Sequence, residues 1–363
     1  SRLAPFIRLS SPLNPGESAY DSGRILNDVV TKAAGRIHGK EGGGYNYGFK
    51  YRLSAGERVT LSMALSKAYG DNMPSAGSGC LSWSSRNGRT EVLAGDFNAR
   101  FGQGLVLWNG LSISDLSVPS SFRRNPSFIS QTWSYTGSTS LTGIASEMSL
   151  GRCDLSLMLI SPSVRKIDSL KELSLMPAAN LNWNMRNGQV SCTHYLNFSS
   201  IFTARPRILD MKTSADMQFC FNGTDLFGEF AYDWVNMAPA VLVGTLFPAG
   251  ESMELAAMLR YYNGRYDPVM SGGPRSGTRC TNECSVSLAG EYSGGRSIVV
   301  KSSSGIKSSV ARQNFSVSVD AAIFPATMKN GRRIQYKGTF LWNMQINPVL
   351  KLSVRLKERF RSW

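Results

Sequence analysis

Several kinds of residue and pattern are scarce in this sequence, and each scarcity excludes a class of protein. No apolar run approaches the roughly 18 residues that a membrane-crossing helix needs; the nearest, Ala238 to Phe247, is interrupted by Pro239 and Gly244. A helical membrane protein is thereby excluded. Histidine occurs only at His38 and His194, and Cys80, Cys153, Cys192, Cys220, Cys280 and Cys284 form no CxxC pair. A zinc site needs tighter clustering with histidine beside it, so no metal and no cofactor is expected. The thiols read as buried or lipid-facing packing groups, with a local Cys280–Cys284 disulfide as the alternative. Charged residues make up only 18% of the 363 positions and hydrophobic ones 42%, which fits neither a disordered chain nor a leucine-rich helical one. The sequence opens at Ser1 without a charged-then-apolar leader, so any export signal is expected to have been removed or to lie outside this sequence, which says nothing about compartment.

What the sequence does contain, above all after residue 45, is strict alternation. Tyr45, Tyr47, Phe49, Tyr51 and Leu53 share one parity, with Asn46, Gly48, Lys50 and Arg52 on the other. Val59, Leu61, Met63 and Leu65 repeat the pattern, as do Leu226, Phe230, Tyr232 and Trp234 against Asp225, Glu229 and Asp233. It returns in Ile334, Tyr336, Phe340 and Trp342 against Arg333, Gln335 and Lys337, and in Leu350, Leu352, Val354 and Leu356 against Lys351, Arg355 and Lys357. A period of two places alternate side chains on opposite faces of a strand. The dipeptides Asn87-Gly88, Asn187-Gly188, Asn222-Gly223, Asn263-Gly264 and Asn330-Gly331 carry tight-turn chemistry, which joins antiparallel neighbours in chain order.

These segments are longer than the strands of a soluble sandwich and closer to the roughly 9 to 11 residues that cross a bilayer when tilted. Trp83, Trp183, Trp234 and Trp342 stand near segment ends, as an interfacial aromatic girdle requires. The expected fold is all-β: an antiparallel transmembrane β-barrel of roughly 16 to 18 strands in meander topology, since in lipid only a closed sheet pairs every backbone group without helices. Residues 45–363 make the barrel, and residues 1–44 an N-terminal strand, loop or plug-like segment with a short helix expected over Ile25 to Ala33.

The stretch GDFNARFGQGLVLWNG, from Gly95 to Gly110, is not a dinucleotide fingerprint, because Leu107 stands where a third glycine is required. Leu93, Phe97, Ala99 and Phe101 alternate here with Val92, Asp96, Asn98 and Arg100, so the glycines interrupt a strand. Gly102, Gly104 and Trp108 mark a bend. Either the following segment inserts into the pore as a constriction, or the strand kinks at the rim with Trp108 at the membrane interface. By parity Asp96, Arg100, Glu229, Asp233, Arg333, Lys337 and Arg355 line the pore, where charge sets ion selectivity or is consumed in pairing.

Three stretches carry a resemblance to a known family. LAGDFNARFGQGLVLWNG, SPSVRKID from Ser161 to Asp168, and NECSVSLAGEY from Asn282 resemble, in the same order, segments of the large outer-membrane barrels of Bacteroidota, which are often described as helix-hairpin-helix domain-containing proteins. The resemblance implies a barrel in the bacterial outer membrane, without the small DNA-binding-like module that precedes it in that family. Barrels of this kind commonly end in an aromatic residue; Trp363 supplies one, although Arg361 replaces the apolar group expected two residues earlier.

The chain carries a formal charge of +15, which suits an anionic partner. The function expected is therefore a non-enzymatic channel, or the membrane-embedded subunit of an envelope complex, in contact with outer-membrane lipid and handling anionic cargo such as a polymer or DNA. Envelope proteins are candidate partners. A lipase-like pair of His194 and Ser199 is disfavoured, because the strand rise of about 3.3 Å per residue separates them and their parity opposes them. The competing reading is a soluble, secreted all-β protein that binds acidic glycan or nucleic acid; it requires the apolar parity to be buried.

Overall fold

The computed structural model describes residues 25–36, 44–56, 58–68, 76–110, 116–135, 140–161, 166–167, 170–171, 174–198, 207–302, 305–325, 333–345 and 351–362. The strands are β1 (Ile25–Arg36), β2 (Gly44–Ala55), β3 (Val59–Lys67), β4 (Ala76–Ser84), β5 (Thr90–Arg100), β6 (Phe128–Gln131), β7 (Leu141–Leu150), β8 (Cys153–Ile160), β9 (Lys166–Ile167) and β10 (Leu170–Lys171). They continue with β11 (Met176–Met185), β12 (Gly188–Phe198), β13 (Ile208–Phe221), β14 (Thr224–Asp233), β15 (Ala238–Pro248), β16 (Met253–Tyr262), β17 (Glu283–Ser302), β18 (Gly305–Phe324), β19 (Arg333–Gln345) and β20 (Lys351–Arg361). All except the β9–β10 pair belong to one 18-stranded antiparallel sheet.

Pairing follows chain order, as the tight turns dictate. β5 pairs with both β6 and β7, and β8 pairs with β11, so β9 and β10 lie off the meander. Asn87-Gly88, Asn187-Gly188 and Asn222-Gly223 join β4 to β5, β11 to β12 and β13 to β14. Asn263-Gly264 departs from expectation and opens a long connection to β17. Asn263 anchors the base of that connection, its carbonyl accepting the N–H groups of Tyr266 at 3.1 Å and Asn282 at 3.2 Å. Asn330-Gly331 lies outside the described residues. The connections divide by length: those after β2, β4, β7, β11, β13 and β15 are short, whereas those after β5, β8 and β16, at the opposite end of the sheet, are long.

The helix expected over Ile25–Ala33 is instead part of β1, paired with β2 from Ile25 opposite Ala55 to Arg36 opposite Gly44. The run Val29-Val30-Thr31 is β-branched, and a neighbouring strand that supplies a full ladder settles an ambiguous apolar pattern in favour of extension.

The apolar parity of most strands is turned outward. Phe230 is 51% exposed, Leu259 59%, Trp183 56% and Leu356 62%, while their neighbours Glu229, Arg260 and Asn182 are buried. A water-soluble sheet shows the reverse, so the soluble secreted reading is overturned. Val243 stands mid-strand in β15 between Gly228 and Leu259 and is 47% exposed on this outer face. Val243→Arg is expected to destabilise the barrel in lipid vesicles by about 2 to 4 kcal/mol, read as a lower urea midpoint of unfolding. An unchanged midpoint would mean that the outer face does not meet hydrocarbon.

Candidate functional site: the lumenal face and its inserted loops

One strand reverses the rule, and it leads to the site. On β5 the apolar stripe points inward, with Leu93, Phe97 and Ala99 buried. The described parts of the connection after β5, 101–110 and 116–127, together with the connection 263–282, fold back across the inner face and give that stripe a partner: Leu105, Leu107 and Phe122 are all buried against it in one cluster. Protein, and not lipid, is therefore the medium for this apolar face, a correction to the expectation that every such face is outward.

The inward turn is built by its glycines. Gly102 has φ +58° and Gly104 φ +89°, the left-handed region that favours glycine. The chain then returns beside itself, with Phe101 N–H donating to Leu107 O at 3.1 Å and Asn109 N–H to Ala99 O at 3.2 Å. Positive φ at these positions turns successive N–H groups to one side, the concave arrangement that holds an anion. Its occupant is the Glu229 carboxylate on β14: Oε2 accepts Gln103 N–H at 2.7 Å and Leu105 N–H at 3.0 Å. Glu229 faces Asp216 in the ladder, and a side chain at Gly102 would meet both carboxylates at about 3 Å. Of the two alternatives for this bend, inward insertion is observed. Trp108 is 7% exposed and packs on Gly272, so its expected place at the membrane interface is corrected.

The second loop locks the first. Tyr266 Oη donates to Leu105 O at 2.7 Å, Ser271 Oγ to Gly104 O at 2.9 Å, and Trp108 N–H to Met270 O at 2.9 Å. Gln103 Oε1 accepts Arg124 N–H at 2.9 Å, while Arg123 reaches Asp225 at 2.5 Å. Burial, and secondarily Glu229, raises the Tyr266 phenol well above its usual range, so it remains a donor. Burial likewise pushes up the Cys280 thiol, which packs inward while Cys284 faces outward. Both are free, so the alternative of a Cys280–Cys284 disulfide is not realised.

The pore-lining assignments divide. Glu229 and Asp233 are inside and consumed: Asp233 is fully buried, pairs with Lys212 at 3.3 Å and caps the N–H groups of Val235 and Asn236. Lys337 is on the inner face opposite Asp320, and the two border a small cavity with Leu116, Ser318 and Thr339. Arg355 is exposed on the inner parity of β20, paired with Leu341. Arg333 heads β19 opposite Phe324, and its side chain lies outside the described residues. Arg100 shares the parity of Asp96, opposite to the buried Phe97 and Ala99, so its assignment to the pore by strand parity is corrected; it is held instead by the inserted loop, its Nε donating to Asn109 O at 3.0 Å and its guanidinium lying 5.9 Å from the Trp108 ring. Asp96 is a correction: it shares its face with outward Ile144 and Leu81. The carboxylate survives there because Gly79 N–H at 2.9 Å and Thr142 Oγ1 at 2.6 Å donate to it.

Sequence reasoning missed the buried network of Arg260, which meets Glu283 at 3.3 Å and Asp320 at 2.6 Å. In MELAAMLRYY both parities are apolar, so no alternation marked Arg260 as inward. It also stopped short on β20, where Arg359 and Arg361 continue the parity of Arg355 and Lys357; Lys357, Arg359 and Arg361 pair with Thr339, Lys337 and Gln335. Thr339 and Gln335 are buried while Tyr336 is 49% exposed, which fixes that parity as the inner one. The lumen therefore has two walls. Inner-face carboxylates on β13–β18 are buried: Glu229 holds the inserted turn, Lys212 meets Asp210 and Asp233, Arg260 meets Glu283 and Asp320, and Ser191 donates to Asp216, while Glu147 on β7 and Asp154 on β8 are buried as well. Basic side chains gather on β19 and β20, and on β2 as Lys50 and Arg52. Trp133 lies against this last pair, its ring 4.1 Å from the Arg52 guanidinium and 5.2 Å from the Lys50 ammonium. His194 is on the outer parity with Nδ1 bonded to Thr213 at 2.9 Å, and Ser199 lies outside the described residues.

No family model and no curated protein matches the chain. Among solved structures it is similar to OccK2 (OpdF) of Pseudomonas aeruginosa, with a TM-score of 0.50 at 9% identity over 93% of this chain and 92% of that one. It is also similar to the outer membrane protein OprD of Pseudomonas aeruginosa, with a TM-score of 0.46 at 9% identity over 93% and 87% of the two chains. A third is Wzi of Escherichia coli, an outer membrane protein involved in group 1 capsule assembly, with a TM-score of 0.44 at 9% identity over 94% and 81%. At such identities the likeness concerns the fold. The class so defined is the bacterial outer-membrane β-barrel, all-β and antiparallel in meander order, in keeping with the exposed apolar belt.

Proposed function

We propose that the protein is an outer-membrane channel for small anionic solutes, its lumen half filled by its own loops and its conducting side lined by β19, β20 and β2. The observation that carries this reading is the separation of charge between the walls. Arg355, Lys357 and Arg359 are exposed on the inner parity, whereas Asp210, Asp216, Glu229, Asp233, Glu283 and Asp320 are buried. A lumen whose basic side chains reach water while its carboxylates are buried favours entry of anions. Loops packed along β13–β18 favour a small solute over DNA as the cargo. The segment 1–44 is proposed to contribute β1 as the edge strand before the barrel of residues 45–363. Membership of the Bacteroidota barrels is retained on the three motif stretches; the first and third of them hold the inserted turn and Glu283.

Planar bilayers provide the test. Under a potassium chloride gradient the pure protein is expected to give a reversal potential on the chloride side. A cation-side potential, or no conductance from correctly folded protein, overturns the channel reading.

A further inference from the structure

We propose that the short-turn rim of the barrel is a binding surface for anionic phospholipid headgroups, formed by Arg58, Arg86, Arg89, Arg152 and Arg186. These side chains occupy successive short turns: Arg58 between β2 and β3, Arg86 and Arg89 between β4 and β5, Arg152 between β7 and β8, and Arg186 between β11 and β12. The strands concerned are consecutive neighbours in the sheet, so the turns stand side by side along one sector of the rim. Neighbouring strands lie about 4.8 Å apart, which spaces successive turns by roughly 10 Å, the scale of adjacent lipid headgroups. All of these arginines are exposed. Among the described residues none is paired with a carboxylate.

A separate observation places them at headgroup height. Trp83 is 45% exposed and Trp183 56%, both on the outer face at this end of the sheet. Interfacial tryptophan marks the boundary between hydrocarbon and water. Backbone bonds seat the arginines just beyond that level: Ser84 N–H donates to Arg58 O at 2.8 Å, and Asn184 N–H donates to Arg152 O at 2.7 Å. Arg58 and Arg152 therefore stand one residue pair outside Trp83 and Trp183. Apolar Leu81 and Leu150, also outward, continue the surface below and beside them.

The chemistry selects phosphate. Every basic residue described in these turns is arginine, whose planar fork donates bidentately to phosphate oxygens and carries less hydration than lysine. The β15–β16 turn has the opposite character, with Glu251 and Glu254 exposed. The crown thus faces the leaflet from one sector and gives the barrel a preferred lipid neighbourhood there.

This inference rests on the membrane-spanning reading, and the experiment separates the two. The protein is reconstituted into nanodiscs of phosphatidylcholine and phosphatidylglycerol, and heat-modifiable gel mobility confirms insertion. Native mass spectrometry then reads the lipids that remain bound. The wild type is expected to retain phosphatidylglycerol several-fold above its bulk fraction at low salt, declining toward that fraction at high salt. R58S/R86S/R89S/R152S/R186S is expected to bind at the bulk ratio, and R86S/R89S, confined to one exposed turn, to lose part of the enrichment. Failure of the wild type to insert would overturn the spanning reading itself. Insertion with no enrichment, or with enrichment unchanged in both variants, overturns the crown. So does loss of binding to soluble polyglutamate at an unchanged lipid ratio, which would assign the surface to an acidic protein.

Discussion

Glu229→Ala is expected to enlarge the single-channel conductance and to expose the 101–110 turn to protease. The side chain accepts backbone N–H groups from Gln103 and Leu105 and is itself buried, so truncation removes the acceptor from both donors and leaves them without a partner. Two backbone hydrogen bonds are lost and each orphaned buried donor adds its own desolvation cost, so about 3 kcal/mol of loop docking is lost. The barrel wall should survive, because its ladders do not pass through Glu229's side chain, and the heat-modifiable mobility should persist. Glu229→Gln keeps an oxygen for the turn and offers an amide to Asp216, so its conductance should remain near that of the wild type. Gly102→Val should reproduce the open state from the other side of the contact, since its side chain would collide with the Glu229 carboxylate in a backbone conformation that β-branched residues avoid. Equal conductance for Glu229→Ala and wild type would show that the inserted turn does not narrow the conducting path.

The contact behind that prediction illustrates where sequence reading succeeds and where it stops. Strand parity was legible because lipid and lumen are different solvents, and each wrote its preference on alternate residues. Leu226 and Phe230 on β14 and Trp234 just beyond it are outward, while Glu229 and Asp233 are inward, as their spacing requires. The same logic failed on β5, where the inward face is apolar because a loop and not water lies against it. Phe97 and Ala99 then looked lipid-facing, and Asp96 looked lumenal. Nothing local distinguishes the cases. The partner of Gln103 is Glu229, separated by 126 positions, and only the curled sheet brings them together. The glycine pair gave the available signal, a strand interrupted where positive φ is needed, but it did not say which way the chain turns. The segment Ile25–Arg36 failed for a different reason: its apolar pairs satisfy helical and extended periods alike, and the ladder with β2 decides between them.

Replacing Arg355, Lys357 and Arg359 together with glutamate is expected to invert the ion preference of the channel, from chloride to potassium. All lie on the inner parity of β20, and each swap moves the local charge by two units. Near bulk water a unit charge acts on an ion about 4 Å away with about 1 kcal/mol, and physiological salt weakens this over a Debye length of about 8 Å. A path that passes several of these side chains therefore feels a combined change of about 2 kcal/mol or more, which corresponds to at least about tenfold in the permeability ratio. The measurement is the reversal potential under a salt gradient, and the inversion should shrink as both chambers are raised toward molar salt. Stability should change little, because substitutions on the water-filled side of such barrels tune selectivity without entering hydrocarbon. Lys337→Gln supplies the contrast: Lys337 faces Asp320 across the ladder, so part of its charge is already offset and its loss should alter selectivity less. If the triple glutamate variant conducts with the wild-type preference, β20 does not border the ion path, and the conducting side must be sought along the acidic wall instead.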